Sequence, residues 1–155
     1  MKTIFFVTTI AFAIIPSHLF ACSPMANTHV NFMASNAEEK IIAPGAPKVS
    51  IEHMTRGGDR PDSCSDLGRI ILAITAEPAA YAYSFSVIEG IAPTDSFSDK
   101  AVIGYDSNGK QTFQFSWLEA GIAPALDFKV RVTAYSKTGG KGGFSIIHIH
   151  DDGRK

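Results

Sequence analysis

The chain is poor in the residues and patterns that announce chemistry. Two cysteines among 155 residues allow one disulfide at most. A domain of about 110 residues buries a sufficient core without that staple. The formal net charge is −1, so no broad attraction to nucleic acid is expected. No apolar run, the one from Ile4 to Ile15 included, is long enough to span a membrane, which takes about 20 residues. No Gly-x-Ser-x-Gly elbow occurs. "TGGKGG" (138–143) lies between two extended runs and lacks the following helix that a phosphate-binding loop requires. Cys64 sits in "DSCSDLG" (62–68), among acids that oppose a reactive thiolate. "RGGDR" (56–60) is not the Arg-Gly-Asp adhesion tripeptide, because Gly58 intervenes. These absences argue against an enzyme.

The N-terminus is the sharpest feature present. Lys2 is followed by an apolar run from Ile4 to Ile15 and then Pro16, the anatomy of a secretory signal. An ordinary cleavage site wants small residues at its last and third-last positions, and Leu19 is too large. "Leu19-Phe20-Ala21-Cys22" instead resembles the bacterial lipoprotein signal, or lipobox, with Phe20 bulkier than is usual there. The resemblance implies that residues 1–21 are removed and that Cys22 becomes the first mature residue. Its sulfur would carry a diacylglycerol. The protein would then cross the inner membrane and stay lipid-anchored in the periplasm or on the outer membrane, with the membrane as its first partner. The competing reading is a Cys22–Cys64 disulfide in the oxidising envelope, contributing about 3–4 kcal/mol. The two are exclusive, since a thioether-linked sulfur cannot pair.

Residues 22–47 show no sustained period and end in "APGAP", which reads as a flexible tether spanning roughly 25–30 Å. From 48 to 155 the pattern changes. Hydrophobic residues are 45 % and charged residues 19 % of the chain, with 11 phenylalanines, a composition suited to half-buried pleated sheet. Period-2 alternation runs through 48–54, 69–75, 81–89, 110–118, 127–135 and 143–150, and a short run at 100–104 reads as an edge. "DSNG" (106–109) is a hairpin turn, because Asn-Gly readily takes positive φ. "FSVIEGIAP" (85–93) and "FSWLEAGIAP" (115–124) echo one another, which reads as two strands stopped by the same proline device or, alternatively, as a duplicated hairpin.

The expected fold is all-β: a seven-stranded antiparallel β-sandwich. "LDFKVRVTAYSKTGGKGGFSI" (126–146) resembles the last two strands of fibronectin type III and related immunoglobulin-like domains. There an aromatic, alternating valines, an alanine and a Gly-rich loop recur in that order. Phe128 stands where that family places its corner tyrosine, and the single tryptophan, Trp117, falls on the fifth strand. The resemblance implies architecture and says nothing of activity.

If the first strand runs away from the tether, the loops at 55–67, 90–99 and 119–126 and the C-terminus share the distal end. Long loops on a rigid scaffold are where binding concentrates. Asp59, Asp62, Asp66, Asp95 and Asp99 make this end acidic and candidate for an unidentified protein or glycan partner. The same oxygens would suit Ca²⁺. The most metal-like stretch is "HIHDD" (148–152). On a strand, His148 and His150 point to one face roughly 6.5–7 Å apart and can converge on zinc or copper. Asp151 or Asp152 could add an oxygen, and His53 could approach if the first and last strands are neighbours. "IHIHDDG" resembles the His-x-His strand of copper–zinc superoxide dismutases. That enzyme is rejected, because it needs a larger histidine set than the 5 present here. The primary expectation is thus a non-catalytic, envelope-anchored binding or structural module. A periplasmic metal-binding protein is the alternative, and no cofactor is required by the first.

Overall fold

The computed structural model describes residues 27–32, 42–58, 66–95, 97–119 and 123–153. The signal segment, Cys22, Cys64 and the loop residues Asp59 and Asp62 lie outside them. Among the described residues there are nine strands and no helix: β1 (Thr28–His29), β2 (Val49–Thr55), β3 (Leu67–Thr75), β4 (Ala82–Gly90), β5 (Val102–Ile103), β6 (Tyr105–Ser107), β7 (Lys110–Leu118), β8 (Leu126–Tyr135) and β9 (Lys141–Asp151). They form two antiparallel sheets, ordered β1-β5-β4-β8-β9 and β2-β3-β7-β6.

Alternation decides which side chains meet between the sheets. Ile70, Leu72 and Ile74 of β3 and Phe113, Phe115 and Trp117 of β7 turn inward from one sheet. Tyr83 and Phe85 of β4 and Phe128, Val130 and Val132 of β8 do so from the other. Phe85 bridges the layers, its ring centroid 4.8 Å from that of Phe113 and 4.9 Å from that of Phe115. Phe97, from the loop after β4, stacks on Phe115 at 4.1 Å and closes one end. Each such ring stabilises the fold by roughly 1.5–3 kcal/mol through burial, and a ring pair adds about 0.5–1.5 kcal/mol.

Nine strands replace the expected seven for two reasons. The run at 100–104 does not end a sheet edge as one strand. Val102–Ile103 pairs with β4, and the chain then crosses to the other sheet, where Tyr105–Ser107 pairs with β7. Gly104 makes the crossing. A Cβ there would lie 2.7 Å from the Thr112 carbonyl oxygen and 2.8 Å from the Phe113 ring, so only glycine lets the backbone pass. β6 and β7 are then joined through Asn108 (φ 51°) and Gly109 (φ 75°), the two-residue turn expected from "DSNG".

The second reason lies in the span expected to be a tether. Thr28 and His29 pair with Ile103 and Val102, so β1, and not β5, borders that sheet. Further on, the Gly143 N–H donates to the Pro44 carbonyl (2.9 Å) and the Ser145 hydroxyl to the Pro47 carbonyl (2.6 Å). The described parts of 22–47 therefore lie along the domain.

The register also sets polarity. Leu67 faces Leu118, Gly90 faces Phe128, and Leu126 faces Asp151. The connections after β2, β4 and β7 and the end of β9 thus share one end, as expected. The turns at 76–81, 108–109 and 136–140, with the incoming chain, share the other.

Candidate metal centre

β8 and β9 pair so that Asp127 lies opposite His150 and Lys129 opposite His148, all on the outer face. His148 Nε2 is 2.6 Å from Asp127 Oδ1, and His150 Nδ1 is 3.9 Å from the same oxygen. The two imidazole centroids are 5.8 Å apart. One ligand atom from each of Asp127, His148 and His150 can be chosen so that all three lie within 4.8 Å of one another. Around a tetrahedral ion held at about 2.0–2.1 Å, ligand atoms sit roughly 3.4 Å apart. Reaching that spacing requires the 2.6 Å His148–Asp127 hydrogen bond to open and His150 to move closer than 3.9 Å, both adjustments of exposed side chains. The hydrogen bond to His148 holds the Asp127 carboxyl below the usual carboxylate range, with the charges of His148, His150 and Lys129 acting in the same direction. An anionic oxygen beside two imidazoles is a donor set for zinc or copper and unlike the all-oxygen shell of Ca²⁺.

The sequence-based ligand set is redrawn by this geometry. His148 and His150 share a face as expected, with Ile149 fully buried between them. Asp151 is excluded by the same alternation: it turns inward, accepts from Arg56 and caps the Gly153 N–H at 2.9 Å. Asp152 reaches His150 Nε2 at 3.2 Å but is otherwise exposed to solvent. His53 is on the other sheet. A bulge between Ile51 and His53 sets His53 opposite Ile71, and its ring is not among the ligand atoms that converge with Asp127. Asp127 is the ligand that the sequence does not mark. Its place in the cluster depends on the β8–β9 register, for which the sequence carries no local signal.

The distal acids do not gather into an oxygen cage among the described residues. Asp66 accepts the Glu119 N–H through its backbone carbonyl just before β3, Asp95 is exposed in a turn, and Asp99 accepts from the Ser86 hydroxyl. What fastens this end is a buried ion pair that sequence reading missed. Arg56, 3 % exposed, donates through Nε to both oxygens of Glu119 at 3.1 and 3.2 Å, and through its terminal nitrogens to Glu119, the Pro124 carbonyl and Asp151. The Gly57 N–H adds a bond to Glu119 Oε2 at 2.6 Å. Burial works to raise the Glu119 pKa. The bonds from Arg56 and Gly57 outweigh it and hold the carboxyl below its ordinary range, while the hydrogen bond to Glu119 raises that of Arg56. The ends of β2, β7 and β9 are locked together by one guanidinium.

The echoed glutamates part company here. Glu119 is buried in this pair, whereas Glu89 stands outside, its Oε2 2.7 Å from Lys129 Nζ. A separate open cleft of about 520 Å³ lies beside β1, lined in part by His29, Phe32, Lys100 and Tyr135. No protein-family model matches the chain, no curated protein matches it, and no solved structure matches its fold.

Proposed function

We propose that this chain is a non-catalytic, envelope-anchored β-domain that binds a transition-metal ion at the end remote from its anchor. The observation that carries the metal reading is the convergence of Asp127, His148 and His150 within 4.8 Å on one exposed sheet face. Two imidazoles and a carboxylate favour Zn²⁺ or Cu²⁺, and three protein ligands leave a position open for water or a partner's side chain. Strand polarity supports the placement. The incoming chain lies along β5 and the start of β9, and the cluster lies where β9 ends and β8 begins. A lipid on Cys22 would hold the opposite end to the membrane. The strand orders β2-β3-β7-β6 and β5-β4-β8-β9 favour the fibronectin type III or immunoglobulin-like topology, with β1 added at an edge.

Calorimetric titration of the folded chain with Zn²⁺ and with Cu²⁺ tests the metal reading. Binding is expected in the wild type and lost in a His148→Ala/His150→Ala variant. An ion that binds equally to both proteins sinks it. Mass spectrometry of the mature N-terminus tests the anchor: a diacylglycerol on Cys22 supports it, and an unmodified or disulfide-bonded Cys22 removes it.

A second reading is a protein or glycan partner at the same end. Two observations favour it. The Arg56 network fixes the ends of β2, β7 and β9, and Ile146 of β9, 53 % accessible, continues the exposed face of His148 and His150 toward the middle of the strand. Partner capture from envelope extracts that is unchanged by Asp66→Asn, Asp95→Asn and Ile146→Ser together would count against it.

A further inference from the structure

Lys129 is the residue that ought to spoil the metal centre. It lies directly opposite His148, and cross-strand partners have Cβ atoms about 4.5–5.5 Å apart. It also precedes His148 on the same outer face as Asp127, two residues away along β8. A free ammonium there would repel a divalent ion and compete for the Asp127 carboxylate.

The structure directs that ammonium elsewhere. Its partner is Glu89 of β4, at 2.7 Å, on the side away from β9. Glu89 is not placed there by ordinary alternation. Phe85 and Val87 face inward, opposite Val132 and Val130, so an unbroken strand would turn Glu89 inward as well. The register shifts between Val87 and Glu89, and this bulge brings Glu89 out, opposite Lys129. Bulges re-aim side chains in this way and concentrate beside functional sites. Gly90 completes the device. Its φ is +77°, and a Cβ there would lie 2.3 Å from the carbonyl oxygen of Asp127. The backbone of the bulged strand is therefore seated against the residue that supplies the oxygen ligand.

We propose that Glu89 is a positioning residue of the metal centre: turned out by the bulge in β4, it holds Lys129 away from His148 and Asp127 so that the site accepts a divalent cation. This rests on the metal reading above. The alternative is an ordinary exposed ion pair, which affects stability slightly and metal affinity not at all.

The test is titration of the folded full chain with Zn²⁺ alone at about 0.1 M salt. A released lysine about 7 Å from a divalent ion in water, after screening, weakens binding about threefold. Glu89→Gln is expected to lose about that factor in affinity and to keep the wild-type melting curve. Lys129→Gln is expected to bind more tightly than the wild type. In the Lys129→Gln background, Glu89→Gln should cost less than about twofold, because there is no ammonium left to release. Wild-type affinity in Glu89→Gln overturns the clamp, as does the same loss with and without Lys129. A wild type that takes no Zn²⁺ overturns the metal reading and the clamp together, so the two failures are distinct.

Discussion

Replacing Arg56 with methionine is the sharpest test of how the loop-bearing end is held. The change removes a guanidinium that is 3 % exposed and strips Glu119, 6 % exposed, of the charge it is bonded to across 63 residues of sequence. Breaking a buried pair from one side costs about 3–5 kcal/mol, because the remaining charge is left in a poorly solvated place. Against a domain stability of about 5–15 kcal/mol this is a large fraction. It corresponds to a fall of roughly 10–20 °C in melting temperature for a domain of this size. Trp117, buried two residues before Glu119, supplies the fluorescence signal for urea unfolding, with far-UV circular dichroism as a second probe. The double variant Arg56→Met/Glu119→Leu should recover at least half of the loss, since apolar residues of similar volume replace buried pairs at little cost. Acid adds an independent arm. The folded pKa of Glu119 lies below its ordinary 4.5, so the pair's contribution is fully present above about pH 4.5 and disappears as pH falls through the folded value. The stability of the wild type should therefore decline in that window more steeply than that of the double variant. A loss under about 1 kcal/mol in Arg56→Met, or a double variant as unstable as the two single changes added, would refute the reasoning.

Three further outcomes are expected. Tyr83 is fully buried, and its hydroxyl has no hydrogen-bond partner among the described residues, so Tyr83→Phe should raise stability by about 1 kcal/mol in the same urea assay. Gly104→Ala would drive a methyl group into β7 and should lower stability by about 2–3 kcal/mol; an unchanged midpoint would mean that the crossing between sheets runs elsewhere. In Zn²⁺ titrations Asp127→Asn should weaken binding clearly, Asp152→Asn slightly and His53→Ala not at all, a ranking that the sequence-based ligand set would reverse for Asp152 and His53.

Much of the candidate centre was legible because a strand repeats every two residues. That period alone puts His148 and His150 on one face and Ile149 on the other, and in the structure Asp151, expected as a possible ligand, follows Ile149 inward. Asp127 was not legible, since its proximity to His150 is a fact of pairing between two strands and not of spacing within one. Nor was the outward turn of Glu89 legible, because the bulge that produces it leaves no mark in "FSVIEG" beyond its terminal glycine. A similar irregularity in β2 sets His53 opposite Ile71 and apart from the cluster.

The amino-acid sequence by itself determined the extended, alternating segments, the hairpin at Asn108–Gly109 and the inward set of aromatic and branched residues. These follow from side-chain direction and local backbone preference, which act within a few residues. Only the tertiary structure decided that Arg56 finds Glu119, that the chain changes sheets at Gly104, and that Asp127 joins the two histidines while Glu89 draws Lys129 aside. Those are choices among long-range partners, made by register and bulges, and the energy that selects them belongs to the assembled sheets and to no single segment.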